Sequence, residues 1–114
     1  MPTATRTYSA ADDQTVTVDV LIGDGQSGGS AVYLGADMLT GGPPVDALVV
    51  GTGRDIRGRF LTVSTTVVDI RPEHDNTSVT VTMKGGDPAE LHVHQAAVTA
   101  PGGSVNYLTV VKFV

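Results

Sequence analysis

The sequence predicts an all-β protein, a single-domain antiparallel β-sandwich of Greek-key or jelly-roll type with about seven or eight strands. Three observations predict it. Val and Thr, stiff β-branched residues that suit a pleated and half-buried surface, occur 18 and 15 times in 114 residues. Gly and Pro together number 20 and cluster between the valine-rich runs, as turns require. Asp outnumbers Glu ten to two, the bias of a chain rich in turns, where Asp bonds its own backbone, and poor in helix.

A chain of this length builds one hydrophobic core, so residues 1–114 are expected as one domain. Residues 1–13 lack apolar periodicity and read as a loose arm or an edge strand. In "TVTVDVLI" Val16, Val18, Val20 and Ile22 share one face, with Thr15, Thr17 and Asp19 on the other. "GDGQSGG" interrupts the strand, and "SAVYLGADML" resumes it with Val32 and Leu34 on one face and Ala31 and Tyr33 on the other. "TGGPPVD" is a turn, because its prolines cannot donate to a ladder. "ALVV" follows as a short buried strand, then "GTGRDIRG" as a polar loop or hairpin tip.

The longest β stretch, "RFLTVSTTVVDI", changes phase: Leu61 and Val63 are odd, whereas Val68 and Ile70 are even. A β-bulge or bend within Ser64 to Thr66, or a crossing between sheets at that point, would return both pairs to one face. "RPEHDN" is a turn, and "TSVTVTMK" directs Val79, Val81 and Met83 inward. "LHVHQAAV" directs Leu91 and Val93 inward and leaves the histidines outside. The last strand, "VNYLTVVKFV", is apolar on both faces, with Val105, Tyr107, Val111 and Phe113 on one and Leu108, Val110 and Val114 on the other. Such a strand is central in a covered sheet or lies at a subunit contact.

Composition narrows the function. Cysteine is absent, which removes thiol nucleophiles, disulfides and Cys-based zinc sites. A net charge of −5 and few aromatics argue against nucleic acid or an anionic membrane as partner. "PTATRTYSAADDQ" lacks the apolar segment of a signal peptide, and no run approaches a membrane span, so a soluble cytoplasmic protein is expected, with signal-independent export left open.

Four patterns carry potential chemistry. His92 and His94 project from one face of their strand and could share a metal, with Glu90 on the same face and His74 or Asp75 in the preceding turn. The H-x-H pair resembles the start of a cupin metal site, but "QAAV" stands where cupins place a Glu. "GQSGG" around Ser27 is similar to the nucleophile elbow of α/β-hydrolases, yet the helix that motif needs does not follow. Asp24, Asp37, Asp46, Asp55, Asp75 and Asp87 fall in or beside turns, where calcium ligation and plain turn chemistry are both available.

The fourth pattern is "GRDIRGRF". Three of the five arginines, Arg54, Arg57 and Arg59, fall within six residues, next to Ile56 and Phe60, and Asp55 can neutralise one of them. Arginine beside an exposed apolar side chain is the composition of contact surfaces; pairing with the domain's own carboxylates is the alternative. The expectation is therefore a non-catalytic interaction or assembly module. It would self-associate or serve as an accessory subunit, with Arg54, Arg57, Arg59 and Phe60 at the contact and no cofactor. A small-ligand or metal-binding sandwich using His92, His94 and Glu90 or the Asp-bearing loops is the alternative, and catalysis ranks below both.

Overall fold

The computed structural model describes residues 1–42 and 45–114, leaving the expected Pro43-Pro44 turn outside the described residues. They form β1 (Thr3–Tyr8), β2 (Thr15–Ile22), β3 (Ser27–Leu34), β4 (Asp37–Gly42), β5 (Val45–Thr52), a single turn of helix α1 (Gly53–Ile56), β6 (Phe60–Val68), β7 (Asn76–Lys84), β8 (Glu90–Val98) and β9 (Ser104–Phe113). Two sheets face each other, one five-stranded in the order β1-β9-β6-β3-β4 and one four-stranded in the order β5-β2-β7-β8. The sandwich is thus as expected, with nine strands instead of seven or eight. The count rises because Gly35 and Ala36 split one expected segment into β3 and β4, and because the N-terminal arm is a strand. Ser27, Gly28 and Gly29, expected in a loop, already belong to β3.

The core is the set of inward residues that alternation selects. Val16, Val18, Val79, Val81, Met83 and Val93 from the four-stranded sheet meet Val32, Leu61, Val63, Val67, Tyr107, Val111 and Phe113 from the five-stranded sheet. Two polar links cross this layer: the Thr77 and Tyr107 hydroxyls lie 2.6 Å apart, and Gln95 Nε2 donates to the Leu108 carbonyl at 3.1 Å. Both satisfy buried groups that would otherwise oppose packing.

The expected bulge in β6 is absent. This strand pairs residue for residue with β3 on one side and β9 on the other, with no shift over its length. β6 is the middle strand of its sheet, so an extra residue would disrupt two ladders at once. Instead the odd phase simply continues through Thr65, whose hydroxyl meets Ser30 Oγ at 2.8 Å in the interior, while Val68 and Ile70 remain exposed. Register shifts do occur, but against the edge strands β4 and β5, where only one ladder is disturbed.

The N-terminal arm is an edge strand, parallel to β9 in an otherwise antiparallel sandwich. Tyr8 anchors it. Its ring is buried, its hydroxyl donates to the Pro88 carbonyl at 2.6 Å, and it accepts from the Gly86 N–H at 2.9 Å. Burial pushes the phenol pKa up, against the opposing effect of the Gly86 N–H. Tyr8→Phe orphans both backbone groups, so we expect a loss of about 1–2 kcal/mol in denaturant unfolding at unchanged slope.

Candidate functional site

Three surfaces hold the residues of interest. The first is the α1 loop. Gly53 opens it where a side chain would strike the carbonyls of Ala10 and Ala11, and its N–H donates to Gln14 O at 2.9 Å. This close approach carries the arginines onto the N-terminal arm. Arg57 grips Asp12 at 2.7 Å and the Ala10 carbonyl at 2.9 Å, and Arg54 stands 4.0 Å from the same carboxylate. Arg59 reaches Asp37 at 3.5 Å and the Leu34 carbonyl at 3.3 Å. Asp55, expected to neutralise an arginine, accepts instead from the Thr52 hydroxyl at 3.1 Å, because the short helix turns it back along its own loop. Arg57 and Arg59 thus bond within the domain, whereas Arg54 keeps a side chain 76% exposed.

The second surface is the outer face of the four-stranded sheet. Glu90, His92 and His94 alternate outward along β8, as expected, with Val93 buried behind them. Thr80 and Thr82 of β7 stand opposite the histidines in register, and their hydroxyls meet His94 Nδ1 at 2.9 Å and His92 Nδ1 at 3.0 Å. His92 Nε2 lies 3.2 Å from Glu90. Lys84 adds a cation between Asp19 at 3.7 Å and Glu90 at 3.9 Å. A cleft of about 470 Å³ runs past Asp19, Lys84, Glu90 and His92, whereas His94 borders a different one with Asp24 and Asn76.

His74 and Asp75, the expected further ligands, line a third cleft in the β6–β7 loop. Among the described residues no three imidazole or carboxylate groups converge as a metal site requires. The histidines are instead partners of threonine hydroxyls on a charged sheet face. Replacing His92 and His94 together by Ala is expected to change stability by less than about 1 kcal/mol, and zinc is expected to leave the wild-type melting midpoint where it was. Ser27, of the elbow-like motif, is an exposed strand residue opposite Val68.

The third surface is the outer face of the five-stranded sheet. Registered rows read Thr3, Leu108, Ser64 and Ala31, then Thr5, Val110, Thr62, Tyr33 and Met38, then Thr7, Lys112 and Phe60. Met38 and Phe60 are exposed, and Val110 and Leu108 are half-buried. Lys112 lies over the Phe60 ring, 5.7 Å from its centroid, and is the one charged side chain in these rows. The sequence placed Phe60 with the arginines; the structure places it on this face, at the end of the row nearest Arg59. The face as a whole was not legible beforehand, since it joins residues from five strands whose order periodicity does not encode.

No protein-family model, curated protein or solved structure matches the chain. No helix among the described residues is long and apolar enough to cross a membrane.

Proposed function

We propose that the protein is a non-catalytic assembly module that self-associates through the outer face of its five-stranded sheet. The observation that carries the reading is the separation of charge. The chain has twelve carboxylates and seven basic residues, yet the registered rows of this face hold Lys112 and no carboxylate. The opposite face holds Asp19, Lys84 and Glu90. Two copies of an acidic chain repel each other over most approaches; the carboxylate-free face is where they come together at least electrostatic cost.

The size of the face supports the same reading. Five strands spaced about 4.8 Å apart, each roughly seven residues long at about 3.3 Å per residue, offer an area on the order of 500 Å² before side-chain relief is counted. That approaches the roughly 800 Å² per partner of a standard interface, and a two-fold contact would be isologous. Phe60 and Met38 are the exposed anchors, with the Arg59–Asp37 ion pair at the rim beside them. Light scattering coupled to size exclusion tests it: twice the chain mass at micromolar concentration is expected, and a single-chain mass at the highest attainable concentration would refute it.

A further inference from the structure

Asp69 is the inner end of a polar network that ties three loops together at one end of the sandwich. It is only 6% exposed. Its Oδ1 accepts from Gln26 Nε2 at 3.0 Å and from the Arg71 N–H at 3.2 Å. Its own N–H donates to Gly103 O at 2.9 Å. Oδ2 is buried without a hydrogen-bond partner, and Asp75 is the neighbouring carboxyl whose influence bears on it. The two line a cleft of about 340 Å³ together with Arg71, Glu73, His74 and Gly102.

We propose that Asp69 and Asp75 share one proton, Asp75 donating to the otherwise unpartnered Asp69 oxygen, and that this pair is a clasp that holds the loops in acid and weakens toward neutral pH. Two neighbouring carboxylates in one cleft do not both ionise cheaply, so the pair keeps a proton that an isolated Asp would release. Which partner keeps it follows from the surroundings. Burial pushes the Asp69 carboxyl up, but the influence of Asp75, the Arg71 N–H, Gln26 and the nearby Gly102 N–H outweighs burial and holds it below the ordinary range. Its hydrogen bond to Asp69, then burial and the Asp69 charge, raise Asp75, with His74 opposing.

The other charged groups at this end do not replace the proton. Arg71 turns away, Nε donating to Gly25 O at 3.0 Å and Nη1 standing 3.8 Å from Glu73. His74 uses Nδ1 to accept from the Asn76 N–H at 3.2 Å. The β2–β3 loop adds Asp24, a further negative charge, and residues 99–103 of the β8–β9 loop, which reaches Asp75 through the Thr99 N–H at 3.1 Å, add no titratable side chain. No trio of metal-ligating side chains forms among the described residues.

The signs for stability are opposite for the two partners. Asp75, raised by folding, contributes stability that is full below its unfolded pKa and is lost as pH rises through its folded value. Asp69, lowered by folding, contributes stability present above its unfolded pKa and lost as pH falls through its folded value. The pair is therefore strongest between the two folded values, around the ordinary Asp pKa of about 3.9.

The test is Asp75→Asn, whose amide can donate to Asp69 at every pH. Its melting midpoint at neutral pH, in EDTA, is expected to exceed that of the wild type by a few degrees, and the difference is expected to close on acidification. In the wild type, carboxyl ¹³C titration is expected to show two steps on either side of the ordinary value, with Asp75 the upper. A variant less stable than wild type at neutral pH would overturn the proposal. So would a wild-type midpoint raised by calcium and an Asp75→Asn midpoint that is not, which would make the pair a cation site, or two carboxyls titrating together at the ordinary value.

Discussion

Val110→Asp is expected to yield a monomer with the melting behaviour of the parent fold. Val110 stands in the middle of β9, between Thr5 of β1 and Thr62 of β6, near the centre of the charge-poor face. In the isolated chain its side chain is half-buried and points to solvent, so the substitution costs the fold no more than about 1 kcal/mol, mainly from the poor fit of Asp to a central strand. In a face-to-face dimer two carboxylates would be desolvated close to each other on a surface whose registered rows hold Lys112 as their one cation, Arg59 at the rim being already paired with Asp37. A penalty of about 3 kcal/mol or more is expected, which weakens association at least about 100-fold. Light scattering and thermal melting on the same sample separate the two effects.

Gln26→Ala is expected to have the largest effect on the fold itself. Gln26 is buried immediately before β3 and uses both ends of its amide. Nε2 donates to Asp69 Oδ1 at 3.0 Å and to Asn76 O at 2.8 Å, while Oε1 accepts from the N–H groups of Ile70 at 2.8 Å and Arg71 at 3.2 Å. Truncation orphans groups in the β6–β7 loop and at the start of β7. With each buried unsatisfied group costing about 1–3 kcal/mol, a loss of roughly 3–5 kcal/mol is expected in chemical denaturation. Gln26→Glu separates polarity from volume. It keeps the size but sets an acceptor against Asp69 and the Asn76 carbonyl, so it is expected to be at least as damaging at neutral pH and to recover in acid.

Neither Gln26 nor Asp69 was singled out by the sequence, and the reason is physical. Periodicity identifies the face a residue occupies, and for Val16 to Val20, Val79 to Met83 and Val93 it did so, because apolar residues there repeat at the pleat's own period. In β6 the inward positions run Leu61, Val63, Thr65, Val67 and then Asp69, so the pattern ends in polar residues that look like a turn. Their burial is repaid by Ser30 and Gln26, partners 35 and 43 residues away in the chain. The apolar Val68 and Ile70, which suggested a change of phase, are outward residues near the end of the strand. A continued odd phase through Asp69 was the signal available.

The two-sided character of β9 was legible, and it bears on function. The strand lies inside its sheet, between β1 and β6, with Tyr107, Val111 and Phe113 in the core. Leu108 and Val110 therefore face outward from a sheet that no described element covers, and they lie within the contact proposed above. The histidine face was legible as well: alternation placed His92 and His94 outside, but not the threonines that meet them. Those come from β7, and only strand pairing brings them opposite.

Single-thiol cross-linking addresses the proposed contact most directly, because the chain has no native cysteine. Thr62→Cys puts a thiol at the centre of the five-stranded face, and Thr80→Cys puts one on the opposite face beside His94. With a short bis-maleimide at micromolar protein, Thr62→Cys is expected to give a covalent dimer in high yield and Thr80→Cys only monomer. Equal yields from the two positions, or a dimer from Thr80→Cys alone, would contradict association through this face.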